Sequence, residues 1–227
     1  MISFTRNSRL ARCLWAWGLG TAVVVIALMV WADKSIALTF HAYRNTEWAN
    51  FFAAITDGAN GVIWYSISIL GIGIAYLRQH ISSISNSQLI KEVRAWLFMI
   101  VTMATSGIFI NIVKFSVGRE RPKFLFLDGT ANFHPFTLRL ADCAFPSGHT
   151  QSIWAAMLCL SFLLPKGRAL FIPIAVLISA SRFIIGAHYF SDVIASIFIA
   201  AAFTLLWRQW FERTGVTVAL KTPAAQN

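Results

Sequence analysis

The sequence predicts an all-α membrane protein, a polytopic bundle of six transmembrane helices. Of its 227 residues, 57% are hydrophobic and only 12% are charged. The charged share is about half of what an ordinary soluble domain contains. The apolar residues form runs too long for a soluble core. Neither an internal repeat nor a Gly/Ser-rich linker divides the chain, so we predict a single domain over residues 1–227.

Six apolar segments correspond to the predicted helices, in the order 14–31, 62–77, 95–113, 150–164, 169–187 and 192–207. A helix that crosses about 30 Å of hydrocarbon needs about 20 residues, so the shorter segments have the least well-defined ends. The first segment follows three arginines but is long for a signal peptide, and no A-x-A cleavage site follows it. We therefore expect this helix to be retained.

Basic residues are distributed unequally between the two sides of this arrangement. If the segments alternate, the side with both termini has 11 of the 19 Lys and Arg residues and two of the nine acidic residues. The formal charge is then +9 on that side and +1 on the other, out of +10 in total. Because basic loops stay in the cytoplasm, we predict cytoplasmic termini. The pI of about 10.2 therefore indicates topology and attraction to anionic lipids, and no nucleic-acid partner.

The cysteines and two connecting segments have no assigned function. Cys13, Cys143 and Cys159 form no CxxC pair and no metal-ligand spacing, so we expect no disulfide framework. Segment 33–61 contains aromatic residues at helical spacing and forms either an interfacial helix on the outer leaflet or a helix packed on the bundle. The Phe-rich segment 123–136 either lines a lipid entry route or anchors its loop at the interface.

The first stretch with unusual chemistry is KFSVGRERP, residues 114–122. Lys114 ends the third apolar segment, and Arg121 follows seven positions later, directly before Pro122. Cations at the end of a membrane helix commonly reach the interface or pair with lipid phosphate. Taken alone, this stretch is therefore a weak indication of function.

The second stretch is FPSGHT, residues 145–150, at the start of the fourth segment. Pro146 and Gly148 favour a turn, and Ser147 is a candidate N-cap. The first backbone N–H groups of a helix point away from it and favour anions. His149 lies beside this anion-binding position, although a single histidine at an interface is more often structural.

The third stretch is SRFIIGAHYFSD, residues 181–192. His188 and Asp192 share a helix face if the last helix begins near His188, and the carboxylate still reaches one imidazole nitrogen if a turn intervenes. Either arrangement lets Asp192 fix the imidazole tautomer and stabilise its cation. Arg182 can bind phosphate oxygens in a bidentate manner, or it can form a buried ion pair with Asp192.

Six alternating helices would place the three stretches at the same outer face of the membrane. One site would then contain three cations, a helix N-terminus, two histidines and a carboxylate. Cations and free amides suit a bound dianion, and two histidines suit a nucleophile and an acid.

The three stretches resemble the signature of the type 2 phosphatidic acid phosphatase (PAP2) family, namely K-x6-RP, PSGH and SR-x5-H-x3-D. All three match in order and without a gap, and they cover residues 114–192. The six predicted helices are similar to the helical core of that family.

The resemblance implies a role for each residue. His188 would attack phosphorus to form a phosphohistidine, with Asp192 on the other imidazole nitrogen, and His149 would protonate the leaving oxygen and later activate water. The groups that would bind the phosphoryl oxygens are Lys114, Arg121, Ser147, Gly148 and Arg182. The resemblance implies no metal and no cofactor, because the cations replace the charge that Mg²⁺ supplies in other phosphoryl-transfer enzymes.

The expected activity is hydrolysis of a lipid phosphate monoester or diphosphate at the outer face of the membrane. The candidate substrates are phosphatidylglycerol phosphate, phosphatidic acid, undecaprenyl diphosphate and a lipid A phosphate. The chain has the proportions of a bacterial protein, so we expect the inner membrane, with the site facing the periplasm. No oligomeric state is predicted.

Several alternatives remain open at this point. The same scaffold suits a lipid phosphotransferase that passes phosphate to another lipid. A metal-dependent hydrolase would use His149, His188 and Asp192 as ligands. A lipid or anion transporter would use the basic cluster for binding, although the segments lack the paired broken helices of many transporters. A non-catalytic lipid-binding protein would have no need of both histidines.

Overall fold

The computed structural model describes residues 2–137, 139, 143–213 and 217–220, with side chains from residue 9 onward. Every regular element within these ranges is helical, and a 3₁₀ turn, Thr56–Ala59, joins the third helix to the fourth. The helices are α1 (Ile2–Trp31), α2 (Asp33–Ala42), α3 (Glu47–Ile55), α4 (Gly61–Ser82), α5 (Asn86–Val117), α6 (Pro122–Asp128), α7 (Gly148–Leu163), α8 (Arg168–Ile184) and α9 (Phe190–Glu212). The predicted all-α architecture is therefore confirmed.

Five helices in the described part of the chain are long and apolar enough to cross a membrane, namely α1, α4, α5, α8 and α9. The sixth predicted segment, 150–164, forms α7, which has only 16 residues. At 1.5 Å per residue this helix is about 24 Å long, which is shorter than the hydrocarbon layer. The expected count of six spanning helices is thus not established by helix length and composition.

The α7 helix lies at the centre of the bundle, packed against α5, α8 and α9. Ten of its 16 residues are buried, and they lie on all of its faces. Small side chains such as Ala155, Ala156 and Cys159 let the neighbouring helices approach closely. A helix surrounded in this way needs no polar face, which explains why its sequence resembles that of a spanning helix.

The α5 helix ends at Gly118, whose backbone has a positive φ of 58°. The Gly118 N–H donates to the Lys114 carbonyl at 2.9 Å and closes the last turn. A Cβ at this position would lie 1.8 Å from the carbonyl oxygen of His134, so only glycine fits. The tight reversal keeps Arg119 next to the end of α5.

Segment 33–61 forms α2, α3 and the 3₁₀ turn. The α2 helix contacts α6, α8 and α9, and α3 contacts α8, so this segment packs on the bundle as one of the two interpretations expects. Trp48 and Phe51 remain 75% and 47% exposed, which suits contact with lipid. In the Phe-rich segment 123–136, Leu125 is buried, whereas Phe133 and Phe136 are exposed.

Candidate active site

The three motifs meet at one end of the bundle, where α5 and α8 end and α7 and α9 begin. Lys114 lies within electrostatic range of Arg121, Arg182 and Asp192. A Cβ on Gly148 would lie 3.9 Å from Cε of Lys114, which puts the start of α7 against the end of α5. The fold therefore brings together all the residues expected from the sequence, namely Lys114, Arg121, Ser147, Gly148, His149, Arg182, His188 and Asp192.

The three cations of the site have more donors than partners. Nζ of Lys114 donates to the Cys143 carbonyl at 3.0 Å, and Nη1 of Arg182 donates to Oγ1 of Thr56 at 2.5 Å. Nε of Arg121 and Nε of Arg182 are buried and have no hydrogen-bond partner among the described residues. None of the three cations has an ion pair with a described carboxylate. Three clustered positive charges with unused donors provide a binding site for a polyvalent anion.

The N-terminus of α7 adds backbone donors to this site. Oγ of Ser147 accepts the N–H of Thr150 at 3.4 Å, as expected for an N-cap. The N–H of Ser147 donates to the Asp192 carbonyl at 3.3 Å, which joins the start of α7 to the start of α9. The N–H groups of Gly148 and His149 have no acceptor among the described residues, as expected for the first turn of a helix. They are available to a bound anion.

His188 lies in the short connection between α8 and α9 and is buried. Its Nδ1 lies 2.8 Å from the carbonyl oxygen of Ala144. Because a carbonyl only accepts, Nδ1 bears the proton and Nε2 has a free lone pair. Burial is the main cause that lowers the pKa of His188 to about 4. The imidazole is therefore neutral at physiological pH, as a nucleophile must be.

Asp192, the expected partner of His188, lies beside the imidazole ring, although the Ala144 carbonyl is closer. The Asp192 carboxylate lies 3.6 Å from Nδ1, so the closer hydrogen bond goes to Ala144. The α9 helix begins at Phe190, so His188 lies just before the helix and Asp192 lies in its first turn. Asp192 is the third residue of α9, and its Oδ2 accepts the N–H of Tyr189 at 2.8 Å. The carboxylate therefore caps the helix and acts on His188 from a slightly greater distance.

Asp192 belongs to a buried network that the sequence analysis missed. Nη1 of Arg119 donates to Oδ1 of Asp192 at 2.7 Å, and Nη2 of Arg119 donates to Oδ2 of Asp33 at 2.8 Å. Asp33 also accepts the N–H of Ser191 at 3.0 Å and the hydroxyl of Ser191. We call Asp33, Arg119, Ser191 and Asp192 the clamp. It replaces the Arg182–Asp192 pair that the sequence had left open.

The sequence offered only weak signals for these missed residues. Arg119 lies within the first motif, between two residues that were assigned. Asp33 is an isolated carboxylate directly after the first apolar segment, and it is 1% exposed in the fold. Thr56 binds both Arg182 and the hydroxyl of Ser181, at 2.5 and 2.9 Å. Nothing in the local pattern of Thr56 indicates that role.

His149 has quite different surroundings from His188. It is the second residue of α7, it is half-buried, and it lines a cavity of about 300 Å³ between α4, α5 and α7. Arg182, Arg121 and Lys114 lie within electrostatic range of its ring. Among the described residues, no group of three His, Cys, Asp or Glu side chains is arranged to hold a metal ion.

Comparison with known proteins agrees with this geometry. A family model for the PAP2 superfamily matches residues 95–215, slightly more than half of the chain. Curated relatives include lipid A 1-phosphatases from Rhizobium johnstonii and Rhizobium etli, 36% and 34% identical over 123 residues. These alignments cover 54% of this chain and 50% and 53% of the relatives, so the chain spans about half of their length.

One solved structure has a similar fold. It is the crystal structure of a transmembrane PAP2-type phosphatidylglycerolphosphate phosphatase from Bacillus subtilis, with a TM-score of 0.64. The superposition covers 88% of this chain and 95% of that one, at 18% sequence identity. The helical arrangement is thus shared over nearly the whole chain.

Proposed function

The chain belongs to the PAP2 superfamily, and on that premise we propose that it hydrolyses a lipid phosphate monoester or diphosphate without a metal ion. The main support is the cluster of Lys114, Arg121 and Arg182, which has unused donors. Lys114 and Arg182 lie within electrostatic range of the buried, neutral His188. Such a cluster binds the phosphoryl group and neutralises the charge that develops in the transition state. A single well-placed donor of this kind is typically worth about 3 kcal/mol.

In the first step, Nε2 of His188 attacks phosphorus and forms a P–N bond. The bond between phosphorus and the lipid oxygen breaks, and His149 donates a proton to that oxygen. The hydrogen bond from Nδ1 to Ala144 holds the ring during attack, and Asp192 stabilises the positive charge that the ring acquires.

In the second step, water attacks the phosphorus of the phosphohistidine. His149 accepts a proton from this water, the P–N bond breaks, and phosphate leaves. His188 returns to its neutral form with the proton still on Nδ1. Each histidine thus ends the cycle in its starting state.

We also propose that α7 is a sixth crossing, so that the termini lie on one side and the site on the other. The α8 helix reaches the site at Arg182 and begins at Arg168, after a short turn that follows α7. The α7 helix must therefore return the chain from the site to the opposite end of the bundle. The excess of basic residues on the terminal side then favours cytoplasmic termini and a site at the periplasmic face of the bacterial inner membrane.

The substrate is a phosphate on a membrane anchor, because the site lies where spanning helices end. The relatives named above act on lipid A, and the solved structure is named for phosphatidylglycerol phosphate. Both lipids are among the four candidates expected from the sequence, together with phosphatidic acid and undecaprenyl diphosphate.

The test of this function is an assay of phosphate release from each of those four lipids. It uses the purified full chain in detergent with excess EDTA. We expect release from at least one lipid, complete loss in His188→Ala, and normal release in the matched control His80→Ala. His80 lies in the last turn of α4 and is exposed. Normal turnover by His188→Ala would exclude the nucleophile, and loss in EDTA that added metal reverses would exclude the metal-independent reaction.

Two further readouts separate this reaction from its nearest alternative. Rapid alkaline quenching with ³²P-labelled substrate should trap a phosphohistidine that is stable to alkali and is lost on later treatment with acid. Water labelled with ¹⁸O should transfer its label to the released phosphate. A newly phosphorylated lipid without release of free phosphate would instead identify a phosphotransferase.

A further inference from the structure

The cavity beside His149 has features of a binding subsite. Its wall includes a glycine from each of three helices, Gly61 on α4, Gly107 on α5 and Gly148 on α7. A Cβ on Gly61 would lie 3.3 Å from Oγ of Ser152, and a Cβ on Gly107 would lie 3.7 Å from Oε1 of Gln151. Larger residues at these positions would fill the space, so the glycines keep the cavity open. We call it the head-group recess.

Neutral hydrogen-bonding groups line part of the recess, beside the apolar residues Ala59, Met103 and Ile110. Such a polar lining is unusual between membrane helices. Asn60 accepts the N–H of Val62 through Oδ1, and this leaves its amide N–H groups free among the described residues. Nδ2 of Asn111 donates to the Gly107 carbonyl at 3.0 Å. Oδ1 of Asn111 has no partner among the described residues and can accept a hydrogen bond. The lining also includes Tyr65, Gln151 and Ser152. The recess thus offers both donors and acceptors.

No Lys, Arg, Asp or Glu among the described residues lines the recess. The site therefore has two compartments, a cationic one around Arg121 and Arg182 and a neutral polar one beyond His149. Since His149 protonates the leaving oxygen in the proposed reaction, the atoms attached to that oxygen lie on the same side as His149.

We propose that the recess binds the group that bears the scissile phosphate, and that this group is a neutral sugar ring. This inference rests on the proposed function. An apolar chain in the recess would strip water from the polar side chains without replacing their hydrogen bonds. A second phosphate or a phosphodiester would find no Lys or Arg among the described residues that line the recess. Sugar hydroxyls and amides match the donors and acceptors of the recess.

This chemistry distinguishes the four candidate lipids. Phosphatidic acid presents a glycerol that bears two acyl chains, and undecaprenyl diphosphate presents a second phosphate followed by an apolar chain. Phosphatidylglycerol phosphate presents one hydroxyl and then an anionic phosphodiester. Only a lipid A phosphate presents a neutral sugar next to the scissile bond. The recess therefore selects a glycolipid phosphate.

Equilibrium binding to the full chain bearing His188→Ala tests this inference independently of turnover. The probes are a lipid A 1-phosphate and phosphatidic acid in the same detergent. Gly107→Leu fills the recess, Asn111→Leu removes one exposed amide, and Gly73→Leu is the matched control. Gly73 lies on α4 with nothing within 4 Å of its Cβ position.

We expect lipid A 1-phosphate to bind at least tenfold more tightly than phosphatidic acid. Gly107→Leu should weaken lipid A binding at least tenfold and change phosphatidic acid binding less than twofold, whereas Gly73→Leu should change neither. Asn111→Leu, an exposed substitution that folding tolerates, should weaken lipid A binding about threefold or more.

Equal weakening of both lipids by Gly107→Leu, or equal affinity for both lipids, would overturn the inference. Retention of full lipid A affinity in Asn111→Leu and Gly107→Leu together would also overturn it. The protein with His188 intact is assayed in parallel for phosphate release. Selective lipid A binding without release would contradict the proposed function and leave the recess assignment standing.

Discussion

The two histidines of the site lie in opposite environments. His188 is buried, and its Nδ1 is held by the Ala144 carbonyl with Asp192 close behind. His149 is half-buried and faces the head-group recess. The difference corresponds to their proposed tasks. A nucleophile must present one nitrogen in one direction, whereas a proton donor must meet a departing lipid first and a water molecule afterwards.

The charges around the two histidines differ as well. Asp192, which stabilises His188, is held by the clamp through Arg119 and Asp33. The clamp joins three different parts of the chain on one side of the site. The recess side is kept open by glycines and polar residues of α4, α5 and α7. In the proposed reaction, the bond to phosphorus forms on the side that the clamp holds, which we call the rigid half, and the leaving group departs on the recess side.

His188→Ala should have the largest effect, because it removes the atom that bonds to phosphorus. We expect turnover to fall by about 10⁴-fold or more on every substrate, a loss of the size seen when catalytic nucleophiles are removed. Initial rates on a lipid phosphate and on p-nitrophenyl phosphate measure this. A large residual rate on either substrate would contradict the assignment of the rigid half.

His149→Ala should depend on the leaving group, unlike His188→Ala. With a lipid alkoxide as leaving group we expect a loss of about 10²–10⁴-fold, the usual range for general acid–base catalysis. With p-nitrophenyl phosphate, the loss of rate in the step that forms the phosphohistidine should be smaller by about tenfold or more. This leaving group departs without a proton, so it does not need the acid. Equal defects with both substrates would remove the proposed distinction between the two histidines.

Arg119→Gln should weaken the contacts of the rigid half and leave the head-group recess unchanged. We expect kcat to fall by about 10- to 100-fold with KM changed less than threefold, because Arg119 positions Asp192 and does not touch the substrate. Asp33→Asn, which keeps one carbonyl acceptor, should have a smaller effect in the same direction. The control is Arg78→Gln, which removes an exposed ion pair with Glu92.

We expect kcat of Arg119→Lys to fall as it does in Arg119→Gln. A lysine lacks the planar guanidinium that donates to both carboxylates. An unchanged kcat, or a change confined to KM, would show that the clamp is not coupled to the chemistry. Circular dichroism and thermal unfolding of each variant distinguish loss of positioning from loss of fold.

The smallest effect concerns stability and pH. The pKa of His188 is lowered to about 4 in the fold, against an ordinary value of 6.5. Between these values the unfolded chain binds a proton at this residue and the folded chain does not, so stability decreases as pH falls from 6.5 towards 4. The slope from one such group is about 1.4 kcal/mol per pH unit. We expect His188→Asn to lose this contribution in unfolding measurements over that window.

A pH dependence of unfolding that is the same in His188→Asn and in the parent chain would contradict a buried neutral His188. The corresponding substitution of His80, which is exposed, serves as the control and should leave the slope unchanged.

The sequence was sufficient to group the motif residues, because their spacing along the chain indicated one shared site. Lys114, His149 and His188 each lie at the end of an apolar segment, and alternation of the helices brings those ends together. The clamp was not predictable in this way. Asp33 and Arg119 are 86 positions apart, and they become neighbours only in the folded chain, where both contact Ser191 at the start of α9.

The short α7 helix shows a second limit of reading the sequence. An apolar run of 15 residues is compatible with a membrane span and with a helix enclosed by other helices. The fold reveals that α7 is enclosed by α5, α8 and α9. Likewise, the exact start of α9 at Phe190 decides that Ala144, and not Asp192, accepts the closest hydrogen bond from His188.

The position of Asp33 outside the three motifs matters for protein engineering. A chimera that transplants only residues 114–192 into a related scaffold would carry Arg119 without its partner on α2. One edge of a buried guanidinium would then lose a charged hydrogen bond, at a cost of about 1.5–3 kcal/mol. A chimera between relatives should therefore include α2 together with the motifs, so that the transplanted unit begins well before Lys114.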